Sequence, residues 1–253
     1  MLPRVASCVP DGANYIVCVG EEGAEAGMEL QNSIDSETGR IEAFSDAVFA
    51  IAITLLVIEI GVPHVADFPL GATLFGELLD QWPSYLGYMI SFLQIGVIWA
   101  NHHNRFRYIV RSDHSLLFLN ILFLMFVAFI PFPTAVLSEY LEGTAAERTT
   151  AGALYAGTLM MTAIFFTLLW LYVAGSRRLL DERMDLTLIR AMTRRYVLGA
   201  FFYVLAFLIA FVSLAASLAL LVVLALIFIL PEPSDRTAVR RPRQDRRRVT
   251  RTP

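Results

Sequence analysis

The sequence predicts an all-α, polytopic membrane protein with six transmembrane helices. Hydrophobic residues make up 57% of its 253 residues and charged residues only 17%, with a mean hydropathy of +0.60. Several apolar runs reach about 20 residues, which is the length of helix that crosses a hydrocarbon core. A soluble protein of this length would carry about a quarter of its residues as charges.

The predicted spans follow one another along the chain. We place the first four at residues 41–62, 83–103, 114–137 and 151–174. The first ends at Gly61-Val62-Pro63, and the third closes on Pro131-Phe132-Pro133. Residues 196–230 are a further apolar run, about 52 Å long if helical. This run is too long for one ordinary span and short for two.

Charge is divided between the two sides of the predicted membrane. All 20 basic residues are arginine, and all but Arg148 lie before the first span, after the last, or in the loops 104–112 and 175–195. The alternate loops hold acidic residues: Asp67, Glu77, Asp80, Glu139, Glu142 and Glu147. Because basic residues mark cytoplasmic loops, we expect both tails in the cytoplasm. The run 196–230 is then a hairpin turning near residues 213–217, which makes six spans; five is the alternative.

Two tails flank the predicted transmembrane domain at residues 40–230. Residues 1–39 hold seven acidic residues against Arg4 alone and are predicted to be a disordered acidic tail. Met28 is an alternative start. Residues 231–253 are rich in arginine and proline and are predicted to be a disordered cytoplasmic tail. Without interleaved aromatic residues, the arginines indicate anionic lipid or a topology signal rather than nucleic acid.

The first span carries an acid, Asp46, beside Ser45 and downstream of Arg40. An ionisable residue inside a membrane span costs on the order of 2.5–3.5 kcal/mol on insertion scales and indicates a functional site. The alternative is that Asp46 caps a helix at the level of the lipid headgroups.

The predicted topology brings polar groups from three spans to a similar depth at the cytoplasmic side. They are Arg40, Ser45, Asp46, Trp99, His102, His103, Asp113 and His114. Buried charges persist in lipid when they pair with one another. We therefore predict a network joining Asp46 to histidine and arginine. The alternative is that His102 and His103 merely lie at the wet interface.

Helical spacing divides the first span into faces. One narrow stripe contains Ala47, Ile51, Thr54, Ile58 and Gly61, and a second, about a quarter turn away, contains Asp46, Ala50, Ile53 and Val57. Facing lipid, the Thr54 hydroxyl would bond its own backbone. Facing an axis shared by several copies, Thr54 would form a polar ring between two apolar ones.

The first span also carries a family resemblance. Arg40, then Phe44-Ser45-Asp46 followed by AVFAIAITLL, closely resembles the signature of the transmembrane protein 175 family of potassium channels. The resemblance covers about residues 40–230 and continues through Trp99, His102-His103, Phe106 and Pro131-Phe132-Pro133-Thr134. It implies a pore lined by the first helix, with a bulky apolar constriction in place of a carbonyl filter. For this single-repeat chain it implies a homotetramer.

The resemblance assigns roles by position. Ile51 matches the constricting aliphatic residue, and Thr54 and Ile58 match further pore-facing layers; we add Leu55 to the pore-lining set. The signature network comprises Arg40, Phe44, Ser45, Asp46, Trp99, His102, His103 and Asp113. That network is expected to hold the pore helix, with potassium in transit near Ile51 and Thr54 and no tightly bound metal.

We therefore expect a potassium-selective cation channel of the cell membrane that needs no cofactor. Its expected partners are three further copies and membrane lipids, with no nucleic acid or other protein. The alternative is a proton-conducting or proton-coupled transporter that uses the Asp46 and histidine groups as a relay. An enzyme is not expected, because the chain contains neither H-E-x-x-H nor G-x-S-x-G.

Overall fold

The computed structural model describes residues 8–11, 15–18, 21–64, 71, 73–181 and 184–230. The predicted arginine-rich tail at 231–253 lies outside these residues. A two-stranded antiparallel hairpin pairs β1 (Cys8–Asp11) with β2 (Tyr15–Cys18). The α-helices that follow are α1 (Glu21–Leu55), α2 (Leu74–Asp80), α3 (Trp82–Phe106), α4 (His114–Phe129), α5 (Pro131–Glu139), α6 (Ala145–Gly175), α7 (Leu186–Ala210) and α8 (Leu214–Ile229). A short 3-10 helix, Arg177–Leu179, lies between α6 and α7.

Helix α1 differs from the prediction at both ends. It begins at Glu21, so residues 21–39, predicted to be disordered, are helical. Five glutamates and two alanines among these residues favour a helix. It ends at Leu55 rather than at residue 62. Beyond Leu55 the chain tightens, because the Ile58 N–H donates to the Leu55 carbonyl over 3.0 Å. The β-branched residues at 57, 58 and 60 and Pro63 lower the helix propensity of the segment that follows α1.

Three helical segments of the described chain are long and apolar enough to cross a membrane. They are His114–Glu139, Ala145–Gly175 and Leu186–Ala210; Leu214–Ile229 is apolar but shorter. Helix α3 has the length for a span, yet its polar groups, among them Gln94 and Asn101, lower its hydropathy. The structure therefore supports a membrane protein, and the count of six spans remains a prediction.

The predicted third span continues through its prolines. Helices α4 and α5 meet at Ile130, and the combined segment ends at Glu139 rather than closing at Pro131-Phe132-Pro133. Proline is tolerated in a first helical turn, where the missing N–H has no partner in the helix. The Thr134 N–H then donates to the Ile130 carbonyl over 3.1 Å and restores the helical pattern.

Residues 196–230 contain the predicted hairpin, but its turn lies at residues 211–213, slightly earlier than the predicted 213–217. Helix α7 ends at Ala210 and α8 begins at Leu214, with Ser213 as its N-cap. The Ser213 hydroxyl oxygen accepts from the Ala216 N–H over 3.3 Å.

Helix α6 begins earlier than predicted, because Thr144 and Glu147 form a capping box before residue 151.

Helix α1 packs one face into the common core. Phe49 and Ala52, together with Leu56 just after the helix, are buried in a cluster that includes Phe123, Leu159 and Leu221. This packing fixes which face of α1 remains uncovered.

Candidate pore helix and polar network

Helix α1 has a buried face and an uncovered one. Ser45, Phe49 and Ala52 are at most 1% exposed. The predicted pore-lining residues lie opposite: Ile51 is 59% exposed, Leu55 39% and Ile58 71%, and Ala47 and Thr54 are also exposed. A stripe of apolar residues left open by its own chain is available to another copy of the chain or to lipid.

Ile58 was predicted to lie on the helical stripe of α1, but the helix ends before it. It lies in the turn after α1, so the helical spacing applies only as far as Leu55. The Thr54 hydroxyl donates back to its own helix, 2.9 Å from both the Ala50 and Ile51 carbonyl oxygens. This satisfies the hydroxyl proton and leaves the oxygen on the exposed face able to accept a hydrogen bond.

Asp46 contacts a tryptophan rather than a histidine. The Trp99 indole N–H donates to Asp46 Oδ1 over 2.9 Å. The Trp99 ring stacks on His103, with ring centroids 5.9 Å apart, and His103 Nδ1 lies 2.8 Å from Glu42 Oε1. Asp46 and Glu42, one turn apart on α1, thus contact the ring nitrogens of Trp99 and His103, one turn apart on α3. Glu42 was missed from the sequence, although its spacing of four residues from Asp46 was a usable signal.

A second, buried chain of hydrogen bonds joins α1, α3 and α4. The Asn120 amide donates to Ser45 Oγ over 3.0 Å, and Asn120 Oδ1 lies 3.0 Å from His102 Nε2. Ser45 in turn donates to the Ile41 carbonyl over 2.8 Å. With the amide oxygen facing it, His102 Nε2 carries the proton. The His102 ring also stacks on Phe123, with centroids 5.3 Å apart.

The remaining signature residues lie apart from these contacts. The Arg40 side chain is exposed and makes no hydrogen bond or ion pair in the part of the chain that the structure describes, so the predicted arginine is missing from the network. Phe44 is 57% exposed on α1, beside the uncovered stripe. His114 is exposed at the start of α4.

Asp113 belongs to a separate cluster at the start of α4. Its carboxylate accepts from the Leu116 N–H over 2.9 Å, the Tyr172 hydroxyl over 2.7 Å and Arg178 over 3.0 Å. Burial by itself would raise the pKa of Asp113, but these donors together hold the pKa below its ordinary value. The cluster ties α4 to the end of α6.

Arg105, expected outside the spans, is fully buried in the last turn of α3. Its Nη1 donates to the Phe166 carbonyl over 2.8 Å, and its guanidinium carbon lies 3.3 Å from the Phe166 ring centroid and 5.1 Å from that of Tyr196. Arginine stacks on aromatic faces when its charge is removed from water. Its burial was missed because it depends on rings from α6 and α7.

Comparison with known proteins places this arrangement in context. Residues 40–131 match the model of a family described as the endosomal/lysosomal potassium channel TMEM175. A potassium channel of Chamaesiphon minutus is 47% identical over 196 residues, which cover 77% of this chain and 95% of the relative. The endosomal/lysosomal proton channel TMEM175 of Gallus gallus is 34% identical over 152 residues, covering 58% of this chain and 29% of that protein.

A solved structure has the same fold. The crystal structure of a lysosomal potassium-selective channel TMEM175 homolog from Chamaesiphon minutus superposes with a TM-score of 0.69 at 44% identity. The match covers 77% of this chain and 97% of that one.

Proposed function

The chain belongs to the TMEM175 family of ion channels, and on this premise we propose that it is a potassium-selective cation channel of the cell membrane. Relatives that the chain covers almost completely are named potassium channels, and the solved homolog is described as potassium-selective. The family is one of channels rather than enzymes.

The uncovered face of α1 is the observation that carries the proposed pore. Four copies of the chain around one axis would place Ile51 in an apolar ring, with Thr54, Leu55 and Ile58 beyond it. An apolar constriction blocks ions by dewetting until it widens. An ion that crosses it partly dehydrated is more easily potassium than sodium, since sodium holds its water more tightly.

The proposed topology has six spans with both tails in the cytoplasm. The spans would be α1, α3, the α4–α5 segment, α6, α7 and α8, with the arginine-rich loops inside. In this arrangement Ser45 and Asp46 hold the cytoplasmic half of α1 against α3 and α4, through Asn120 and Trp99. These contacts lie off the pore stripe, so their proposed role is to position α1.

Ion flux into liposomes tests the pore assignment. We expect Ile51→Ala to reduce the preference for potassium over sodium, because the ring it forms becomes wider, and Thr54→Ala to alter flux at the adjacent layer. Ile121→Ala is the matched control, because Ile121 is a similarly exposed isoleucine (47%) on α4. Unchanged flux and selectivity in both α1 variants would refute the pore assignment.

Proton conduction is the second candidate, because vertebrate relatives are named proton channels. The groups available for a relay, Asp46 and His103, contact Trp99 and Glu42 rather than the pore stripe. We therefore expect the reversal potential of reconstituted protein to follow the potassium gradient. A reversal potential that follows an imposed proton gradient instead would favour the proton channel.

A further inference from the structure

A groove lies between α3, α6 and α8, at the end of the bundle predicted to face away from the cytoplasm. Its volume is about 670 Å³, within the range of small-molecule sites. Its apolar walls include Leu86, Ile90, Leu218 and Val222. Ala219 also lines the groove and is exposed, and its small side chain leaves the groove open at that position.

Arg148 is the charged residue in the lining of this groove. It is exposed in the first turn of α6, where a cation opposes the helix dipole. The Arg148 side chain makes no hydrogen bond or ion pair within the described part of the chain, although its backbone N–H donates to the Thr144 carbonyl over 3.0 Å. Arg148 therefore gives the rim of this apolar groove a positive charge, which complements an anionic group from outside the chain.

The acids nearest to Arg148 in sequence are already engaged. Glu142 accepts from the Trp82 indole N–H over 3.2 Å. Glu147 lies in the capping box, where its Oε2 accepts from the Thr144 N–H and hydroxyl over 2.7 and 2.8 Å. Trp82, which is 46% exposed, also lines the groove. Tryptophan at a helix end marks the level of the lipid headgroups.

We propose that this groove binds a phospholipid, with its phosphodiester on Arg148 and an acyl chain along Leu86, Leu218 and Val222. A guanidinium matches the geometry of phosphate oxygens and forms short, charge-assisted hydrogen bonds with them. The phosphate complements the positive charge of Arg148 at the rim, and the acyl chain complements the apolar walls below it.

Native mass spectrometry of the purified full chain, titrated with phosphatidylglycerol, tests the site. Arg148→Gln should weaken the apparent affinity about tenfold, as expected for the loss of a charged hydrogen bond. Arg111→Gln removes an exposed arginine from a cytoplasmic loop and should leave the affinity unchanged. Ala219→Trp should weaken binding with Arg148 still in place, because it fills the groove.

Three results would overturn the proposal. The first is equal retention of phosphatidylglycerol by the Arg148→Gln variant. The second is binding of inorganic phosphate alone that Ala219→Trp leaves intact, which would indicate a free-anion site. The third is that the Arg148→Cys variant forms cross-links between copies while the purified wild-type chain retains no phosphatidylglycerol. This would show that a second copy covers the groove. Should Ala219→Trp fail to fold, the Arg148→Gln comparison still decides.

Discussion

At the scale of single residues, Asn120 holds the buried part of the polar network together. It is fully buried and bridges Ser45 on α1 to His102 on α3. A polar group without a partner costs more in a dry interior than the hydrogen bond contributes. The sequence carried a signal, because Asn120 is an amide within the apolar run of the third span. Its partners, however, come from other helices.

We expect Asn120→Ala to destabilise the protein by about 1–3 kcal/mol, because Ser45 and His102 both lose a buried partner. Thermal unfolding of the purified protein in detergent measures this. Asn104→Ala is the control, since Asn104 is a half-buried amide on α3 with no side-chain hydrogen bond in the described chain. Equal losses in the two variants would show that the bridge contributes nothing specific.

Asp113 makes the stability depend on pH in a defined direction. Its pKa is lowered in the folded protein from the ordinary 3.8, so the folded state favours the ionised carboxylate. The stabilisation is therefore fully present above the ordinary pKa and is lost as the pH falls through the lower folded-state pKa. The difference in Tm between the wild-type protein and Asp113→Asn should shrink as the pH falls from about 5 to 3.

Asp185→Asn is the control for this pH profile, because Asp185 is an exposed acid at the start of α7 without a side-chain capping bond. A difference in Tm between wild type and Asp113→Asn that stays constant over this pH range would contradict the assigned role.

At the scale of elements, close helix approach depends on small residues. A Cβ atom added to Gly152 on α6 would lie 2.5 Å from Leu214 Cδ1 on α8, which is too close for a carbon contact. By contrast, a Cβ added to Gly96 on α3 would meet nothing within 4 Å. Glycine at this position of α6 therefore leaves room for the Leu214 side chain of the terminal hairpin.

Gly152→Val should destabilise the protein by about 1–3 kcal/mol through overpacking at this crossing. Gly96→Val makes the same change in helix propensity without the contact to Leu214. The difference in stability between the two variants therefore measures the cost of overpacking. Thermal unfolding of both variants measures the difference. Similar Tm values for the two would mean that Leu214 moves aside at little cost.

At the scale of the whole molecule, the uncovered stripe of α1 argues for assembly. A single chain buries Phe49 and leaves Ile51 exposed on the opposite side of the same helix. A homotetramer around that stripe would convert it into a pore, whereas a monomer would present it to lipid.

Cysteine cross-linking distinguishes these states. In a chain with Cys8→Ser and Cys18→Ser, we expect Ile51→Cys to form cross-links between copies in membranes, because four such residues would surround one axis. Ile121→Cys, exposed on α4, is the matched control and should cross-link far less. Equal cross-linking at the two positions would argue against α1 at the centre.

The amino-acid sequence by itself determined the class of protein, the family, the terminal hairpin and the outward face of α1. Hydropathy, charge asymmetry and helical spacing are local properties of the chain, which is why they could be interpreted without a structure. The tertiary structure alone decided that Asp46 contacts Trp99, that Asn120 bridges Ser45 and His102, and that Arg105 is buried among aromatic rings. Those pairings depend on helices distant in sequence packing side by side, and local patterns carry no information about that.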